Sequence, residues 1–362
     1  MYQTSFNFNL YKLVFAFSVV LCLSKSMYAQ DPHFSQYYAS PLNLNPALVG
    51  SYSGTFRIST IYRDQWRFAV DNPLKTFSAS GDVKIAMNFG TKKKEKDFVG
   101  LGISFFGDRV THFDFNTNQI SLSLGYHKVL DEKTKQYLGI AFQGGVSQKS
   151  VNYEDLEFGD QFNAINGYTL PTDEALPPNN KAYADFGIGL YYSQSPSKKF
   201  GYHLGVGYFH LNKPNISYYN LNEIIDPNVV KVSTIQPKLS FHAGARIETS
   251  DRFSVEPRTI ILKQDKDLEV NLGSNFRYKF SKTSNQYGLL GIYGRGVDNI
   301  SGFAPESITI MAGYERNNFI LGFSYDQSLR NFIDAPKSLS SLEVSLIYIG
   351  EHSNDNQFCP QF

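Results

Sequence analysis

The sequence predicts an all-β protein, a transmembrane antiparallel up-and-down β-barrel of about fourteen strands. Three observations support this prediction. Apolar and polar side chains alternate over long runs, aromatic side chains cluster near the ends of these runs, and the connections between the runs alternate in length. Strands of about 9–11 residues cross a bilayer, whereas strands of soluble proteins usually have about 5–6 residues. The long alternating runs therefore favour a membrane barrel over a soluble β-sandwich.

The alternation is clearest between residues 268 and 280. Leu268, Leu272 and Phe276 would lie on one face of an extended chain, and Glu269 and Asn271 on the other. Successive side chains of a strand point to opposite faces, so this strand has an apolar face and a polar face. The same period recurs at residues 238–248 and 119–127.

The same reading along the chain gives fourteen strands, and twelve or sixteen are also compatible with the pattern. The predicted strands cover residues 54–63, 74–84, 98–107, 117–129, 137–148, 182–193, 200–210, 235–248, 253–262, 268–280, 286–296, 305–314, 318–327 and 339–349. Outer-membrane barrels have short periplasmic turns and longer external loops. The two longest connections, 149–181 and 211–234, should therefore be external. Two connections depart from the alternation: Lys263–Asp267 is short, and the connection through residues 91–97 is long.

The N-terminus predicts export. Lys12 precedes an apolar run from Leu13 to Leu23, and a small residue, Ala29, follows. This order is typical of a cleaved signal peptide, and the run is too short for a membrane-spanning helix of about 20 residues. Cys22 lies in a poor lipoprotein signal. We therefore expect a signal peptide at 1–29, an irregular periplasmic segment below or inside the barrel at 30–53, the barrel at 54–350, and a periplasmic tail at 351–362.

The composition excludes several classes of protein. Basic and acidic residues nearly balance, so a nucleic-acid partner is not indicated. Beyond the signal peptide the only cysteine is Cys359, so no internal disulfide can form. No second long apolar stretch follows, which excludes a helical membrane protein, whereas the strands of a barrel have modest mean hydropathy.

No catalytic or metal-binding pattern is present. The seven histidines are scattered, without the spacing of a metal site. Four carboxylates on predicted inward faces are expected to pair with Arg246, Arg258 or Arg277 across a polar lumen: Asp185, Glu256, Glu269 and Glu343. Glycine pairs such as Gly187 and Gly189 fall in strands, where they permit close packing. The Lys92–Lys96 run is read as a solvated turn, with a periplasmic contact to an acidic partner or lipid headgroups as the alternative. We expect no catalytic residue, cofactor or metal.

One segment, Gln30–Gly50, resembles the start of mature PorP/SprF proteins of Bacteroidetes. The family pattern is approximately Gln-Asp-Pro-x-Phe-Ser-Gln-Tyr, a spacer, and then Pro-Leu-x-x-Asn-Pro-Ala and Gly. The matching residues are Asp31, Pro32, Phe34, Ser35, Gln36, Tyr37, Pro41, Leu42, Asn45, Pro46, Ala47 and Gly50. The pattern Ser341–Tyr348 and the closing motif of Cys359, Pro360 and Phe362 also resemble the family, although Gln361 stands where the family commonly has arginine.

The resemblance implies an outer-membrane component of type IX secretion and gliding motility, with both termini periplasmic. Its partners would be a secreted adhesin with a C-terminal sorting domain, periplasmic lipoprotein and ring subunits, or both. The motif residues at each end of the chain would be available for partner contact, and the large external loops favour adhesin anchoring over a core role in the machinery. The alternatives are an uptake channel for a hydrophobic small molecule, which needs an open lumen, and an outer-membrane enzyme, for which no catalytic constellation is present.

Overall fold

The computed structural model describes residues 31–87, 97–111, 114–154, 156–219, 233–281, 285–299, 302–329 and 339–351. Within them, fourteen antiparallel strands form a closed barrel, in which the first strand pairs with the last. The barrel strands are β1 (Phe56–Gln65), β2 (Leu74–Ala86), β3 (Phe98–Val110), β4 (Phe115–Asp131), β5 (Gln136–Ser150), β8 (Asn180–Ser197), β9 (Phe200–Phe209), β10 (Lys238–Glu248), β11 (Phe253–Gln264), β12 (Asp267–Lys279), β13 (Gln286–Asn299), β14 (Gly302–Arg316), β15 (Phe319–Ser328) and β16 (Ser340–Gly350).

The strand prediction is confirmed, because every predicted segment overlaps one barrel strand. Two short strands, β6 (Phe162–Asn163) and β7 (Gly167–Tyr168), form a separate hairpin in the connection between β5 and β8. The largest difference lies between β13 and β14, which extend towards each other until Asn299 pairs with Gly302. Gly302 has a φ of 103°, a conformation that glycine adopts without steric cost, so the predicted loop of 297–304 is instead a tight hairpin.

The two ends of the barrel differ. We call the end where β1 begins and β16 ends the base, and the opposite end the loop end. Connections at the base include the short turns 132–135, 198–199, 249–252 and 317–318, whereas the loop end carries the long connections 151–179 and 210–237. The short connection at 265–266, which the sequence indicated, is also present at the loop end, with Asp265 at a φ of 51°. The Lys92–Lys96 run and residues 220–232 lie outside the described residues.

Side chains alternate across the wall as the sequence predicted. On β4, Leu122 is 63% exposed, whereas its neighbours Ser121 and Ser123 are buried. On β12, Leu272 faces outward, and Glu269 and Asn271 are buried inside. The barrel therefore has an apolar outer surface and a polar inner surface, as a barrel in lipid requires. No helix in the described part of the chain is both long and apolar enough to cross a bilayer.

The lumen is filled by residues 33–52, which we call the luminal segment. It consists of a 3-10 turn (Tyr37–Ala39), a short helix α1 (Pro41–Leu44) and a second 3-10 turn (Pro46–Leu48). Proline begins α1 and the second turn, where its fixed φ suits a first helical position and its missing N–H is not needed. Leu42, Ala47, Leu48 and Val49 are fully buried. The largest hydrophobic core of the described residues is centred on this segment, and the wall contributes side chains to it: Ala141, Tyr191, Ile260, Tyr293 and Met311.

The path of this segment places residues 33–52 inside the barrel. The sequence left open whether this region lies below or inside the barrel, and the fold class placed it in the periplasm. The segment in fact enters near the loop end, where the His33 carbonyl accepts a hydrogen bond from Arg63, and descends to the base before β1 begins. Its start and the end of β16 therefore lie at opposite ends of the barrel, and the side of the membrane on which each chain terminus lies stays a prediction.

Candidate functional site

The part of the luminal segment near the loop end, which we call its upper part, is bound by β15 and β16; its lower part lies near the base. The Glu343 carboxylate accepts the backbone N–H groups of Ser35 and Gln36, each at 2.8 Å. The Gln36 amide donates to the Ser324 hydroxyl at 3.0 Å and accepts from the Ser345 hydroxyl at 2.7 Å. All these groups are buried, and a buried polar group is costly unless it is hydrogen-bonded. These contacts therefore fix the position of the segment in the lumen.

A network of buried charges surrounds the hydrogen bonds that hold Ser35 and Gln36 to β15 and β16. It consists of Arg63, Arg295, Glu269, Asp326 and Glu343, all buried wall residues near the loop end. Arg63 lies 3.4 Å from Glu343, and Arg295 lies 3.1 Å from Asp326 and 3.7 Å from Glu269. The segment takes part through the Ser35 hydroxyl, which donates to Asp326 and accepts from Arg295, and through the His33 ring, 2.9 Å from Glu269. Buried charges require such partners, so the network and the segment stabilise each other.

In the middle of the lumen, Asn45 connects the segment to the opposite wall. Its amide nitrogen donates to the Leu190 carbonyl at 2.8 Å and lies 3.1 Å from Nε2 of His242. Its side-chain oxygen accepts the Ala47 N–H at 2.9 Å and caps the second 3-10 turn. Nearby, the Arg258 guanidinium stands 5.0 Å from the Tyr38 ring centre. Burial raises the pKa of Tyr38 to about 12, so its hydroxyl is neutral.

At the base, an arginine–aspartate pair holds the end of the segment. Arg57 on β1 donates two hydrogen bonds of 2.9 Å to Asp82 on β2, and a third of 3.0 Å to the Leu48 carbonyl. Asp82 also accepts the Gly50 N–H at 2.8 Å. Gly50 has a φ of 73°, which turns the chain towards β1. Bidentate arginine–carboxylate contacts are strong and directional, so the lower end of the segment is as firmly held as the upper end.

The wall is shaped to admit the segment. A Cβ atom at Gly189 would lie 2.0 Å from Oδ1 of Asn45, and one at Gly100 would lie 2.5 Å from the Val49 carbonyl oxygen. At Gly322 the added atom would meet Oε1 of Gln36 at 2.4 Å. Any side chain at these positions would collide with the segment. The missing side chains of these glycines therefore leave the space that the facing residues of the segment occupy.

The structure brings most of the predicted motif residues together in this site. The residues buried within the lumen are Phe34, Ser35, Gln36, Tyr37, Pro41, Leu42, Asn45, Pro46, Ala47 and Gly50, whereas Asp31 is half-exposed and Pro32 is exposed. The buried motif residues lie against the barrel wall in this structure, and contact between the motif and a partner protein stays a prediction. Cys359, Pro360 and Phe362 lie outside the described residues.

The inward carboxylates lie in the lumen, and one of them pairs with an expected arginine, although along one strand and not across the lumen. Glu256 pairs with Arg258 on its own strand, and Arg277 pairs with Glu315 on β14. Asp185 faces His210 at 2.9 Å. Sequence reasoning missed Arg63, Arg295, Asp326, Arg57 and Asp82. The alternation of each strand shows that these side chains point into the lumen. The same alternation does not show whether they contact the luminal segment or the opposite wall. Among the described residues, no three His, Cys, Asp or Glu side chains are grouped as metal ligands.

A second feature lies at the loop end, in the connection between β5 and β8. The β6–β7 hairpin exposes Phe162, Ile165 and Tyr168, and Ile165 is 89% exposed. Asn163 orders the hairpin, since its side-chain oxygen accepts the N–H of Ile165 at 3.0 Å. Exposed apolar patches of ordered loops are often interaction sites. The hairpin is therefore the clearest candidate contact surface outside the barrel wall.

The chain is similar to several known proteins. Among solved structures, the chain is similar to the CymD monoaromatic hydrocarbon channel, with 12% identity over 87% of this chain and 94% of that one and a TM-score of 0.49. It is also similar to the Ralstonia pickettii toluene transporter TbuX, with 11% identity over 91% of this chain and 98% of that one and a TM-score of 0.46. No curated protein matches the sequence. The family model described as type IX secretion system membrane protein PorP/SprF matches residues 26–348. The chain therefore belongs to the PorP/SprF family of type IX secretion membrane proteins.

Proposed function

We propose that this protein is an outer-membrane scaffold of type IX secretion that holds a secreted adhesin at the cell surface. The observation that carries this proposal is the filled lumen. Residues 33–52 occupy the barrel and bond to its wall near the loop end, in the middle and at the base. A barrel closed in this way offers its two ends and its outer surface for binding, not an open path for solutes.

The proposal orients the loop end towards the outside and the base towards the periplasm, because outer-membrane barrels have short periplasmic turns and longer external loops. The adhesin would then meet the β6–β7 hairpin. Its rings of Phe162 and Tyr168 pack 5.3 Å apart, and Asp160 secures the following chain by accepting the Asp173 N–H at 2.6 Å. An ordered apolar tip loses little conformational entropy on binding.

The base would meet the periplasmic machinery in the same arrangement. The last strand, β16, ends at the base. In this proposal the closing motif of Cys359, Pro360 and Phe362 binds a periplasmic lipoprotein or ring subunit. No catalytic step is part of the proposal.

The alternative function, uptake of a hydrophobic small molecule, needs a path through the lumen or a lateral opening. The luminal segment would have to leave its buried contacts before such a path existed. We therefore rank the channel second, and a conductance measurement distinguishes it from the scaffold.

The test is a clean deletion of the gene in its host, followed by mass spectrometry of cell-surface and culture-fluid proteins. Loss of one or two large adhesins from the surface is the expected result. Collapse of all type IX cargo would make the protein a core machine component instead, and an unchanged surface proteome would refute a role in secretion.

Complementation sharpens the test. The deletion strain receives either the wild-type gene or the Ile165→Asp variant, which places a charge on the hairpin tip. The variant should assemble normally but release the adhesin into the culture fluid. Leu176→Asp is the matched control, because Leu176 is exposed in the same connection but lies outside the hairpin; it should retain the adhesin.

A further inference from the structure

The outer surface of the barrel has an apolar groove that the proposed function does not use. It crosses β3, β4, β5, β8 and β9 and holds about 590 Å³, within the usual range of about 300–1,000 Å³ for ligand pockets. Two rows of outward side chains form its sides: Tyr126, Ile140 and Leu190 in one, and Leu124, Phe142 and Ile188 in the other. The groove therefore faces the apolar region of the membrane.

The luminal segment contacts the inner side of the groove floor. Small residues, Gly125, Ala141 and Gly189, lie between the two rows. A Cβ atom at Gly125 would lie 2.6 Å from a Val49 methyl group. These small residues therefore allow the segment to approach the wall from inside, and they leave the floor of the groove open between the two rows outside.

The groove runs obliquely from the base towards the middle of the barrel. In the strand register, Val99 lies opposite Tyr126, followed by Ile140, Leu190 and Val206. Five strands spaced about 4.8 Å apart span roughly 19 Å, close to the apolar depth of one leaflet, about 15 Å. Val99 is the second residue of β3, at the base, whereas Val206 lies in the loop-end half of β9. The shape matches a lipid chain that enters from the leaflet at the base.

A polar cluster marks the base end of the groove. The Tyr126 hydroxyl donates to Oδ2 of Asp97 at 2.6 Å, and Nζ of Lys128 lies 2.8 Å from the same oxygen. The Lys128 side chain is 52% exposed, so its ammonium remains accessible to a further partner. The other carboxylate oxygen, Oδ1 of Asp97, accepts the Val129 N–H at 3.0 Å. An ethanolamine phospholipid carries a phosphate and an ammonium: Lys128 would meet the phosphate and Asp97 the ammonium. A headgroup without a cation would leave Lys128 alone to balance both the phosphate and the Asp97 carboxylate.

We propose that this groove binds one ethanolamine phospholipid, with an acyl chain between the two rows and the headgroup at Lys128 and Asp97. The lipid would belong to the leaflet at the base. It would cover the apolar floor of the groove, whose inner side the luminal segment contacts.

Native mass spectrometry of the full-length mature protein tests the proposal. The protein is purified in mild detergent and supplied with equal amounts of phosphatidylethanolamine and phosphatidylglycerol. One retained phosphatidylethanolamine per barrel is expected. The Ile140→Trp variant, which fills the groove, should lose it. Lys128→Ala should reduce its retention several-fold. Leu122→Trp adds the same bulk on an outward position of β4 that does not line the groove, and it should behave as wild type.

Three results would overturn the proposal. If the wild-type protein retained phosphatidylethanolamine and phosphatidylglycerol equally, the groove would not select the headgroup. If Ile140→Trp retained as much phosphatidylethanolamine as the wild type, the bound lipid would be ordinary annular lipid outside the groove. A protein segment that copurifies and is displaced by Ile140→Trp would replace the lipid as occupant. Heat modifiability on gels monitors the fold of each variant, so that loss of lipid in a barrel that stays closed can be attributed to the groove.

Discussion

The Glu343 carboxylate accepts the backbone N–H of Gln36 at 2.8 Å, across 307 positions of the sequence. Glu343 belongs to the last strand of the barrel, and that strand closes the barrel by pairing with β1. The luminal segment leads directly into β1. Seating of the segment and closure of the barrel therefore depend on the same pair of strands.

Replacing Glu343 should release the upper part of the segment. In Glu343→Gln, the side chain keeps one acceptor oxygen for two backbone N–H groups, and Arg63 loses the nearer of its two carboxylate partners, keeping Asp326 at 3.8 Å. Breaking a buried ion pair costs about 3–5 kcal/mol, so the temperature at which the barrel unfolds in detergent should fall clearly. Glu174→Gln is the control, because Glu174 is exposed in a loop and should change stability by less than about 0.5 kcal/mol. Equal unfolding temperatures for the two variants would contradict the claim that Glu343 holds the luminal segment in place.

A single methyl group at Gly189 should displace the middle of the segment. The added Cβ would lie 2.0 Å from Oδ1 of Asn45, and such overpacking costs about 1–3 kcal/mol. Chymotrypsin reports the displacement, since it cleaves after Tyr37 only when that buried residue becomes accessible. Gly189→Ala should be cleaved faster than wild type. Gly294→Ala is the matched control, because its Cβ would meet open space. Equal cleavage of the two variants would show that the segment does not pack against Gly189.

Because the luminal segment fills the lumen, we expect the wild-type barrel not to conduct ions in planar lipid bilayers. Wild-type protein should show no steady conductance, whereas the double variant Gln36→Ala/Asn45→Ala should show frequent openings. Gln36 and Asn45 supply side-chain hydrogen bonds to opposite sides of the wall, and each such bond contributes about 0.5–1.5 kcal/mol. A large steady wild-type conductance would favour the channel over the scaffold.

The loop that carries the hairpin should lose its order in acid. Hydrogen bonds from the Asp173 N–H and the Thr172 hydroxyl lower the pKa of Asp160. A lowered pKa in the folded loop means that the stabilisation is complete above the ordinary aspartate pKa of about 3.9 and is lost as the pH falls through the lowered value. The protection of amides in peptides from 159–173, corrected for the intrinsic slowing of hydrogen exchange in acid, should fall in that range. Asp160→Asn should abolish this pH dependence, and an unchanged profile in the variant would exclude Asp160 as its cause.

The strands of the barrel wall can be predicted well from the sequence, because the alternation of apolar and polar residues is a local pattern within each strand. Leu272 points outward and Glu269 inward as the alternation requires, and each predicted strand segment overlaps one in the described residues. The long connection between β5 and β8 also follows from composition. Where the prediction differs, between β13 and β14, one glycine permits a hairpin tighter than the residue pattern suggested.

The site is harder to predict, because its contacts join distant parts of the chain. Ser35 and Gln36 belong to a segment without alternation, so no period shows whether they lie below the barrel or inside it. Arg63 and Glu343 are recognisable as inward residues, yet a lumen filled by paired wall residues would give the same pattern. The fit between Gly189 and Asn45 is visible only once the segment has been placed against the wall.

The most direct test of the account is a disulfide between the segment and the wall in cells. The hydroxyls of Ser40 and Ser78 lie 3.0 Å apart, a separation that suits a disulfide between cysteines at these positions. In a Cys359→Ser background, the Ser40→Cys/Ser78→Cys variant should cross-link in native membranes and hold as much adhesin at the surface as the Cys359→Ser parent does. The control pair Ser40→Cys/Ser240→Cys, with its second position on β10, should stay reduced. Absence of the cross-link would show that the segment is not seated in the lumen, and release of the adhesin on cross-linking would contradict a closed scaffold.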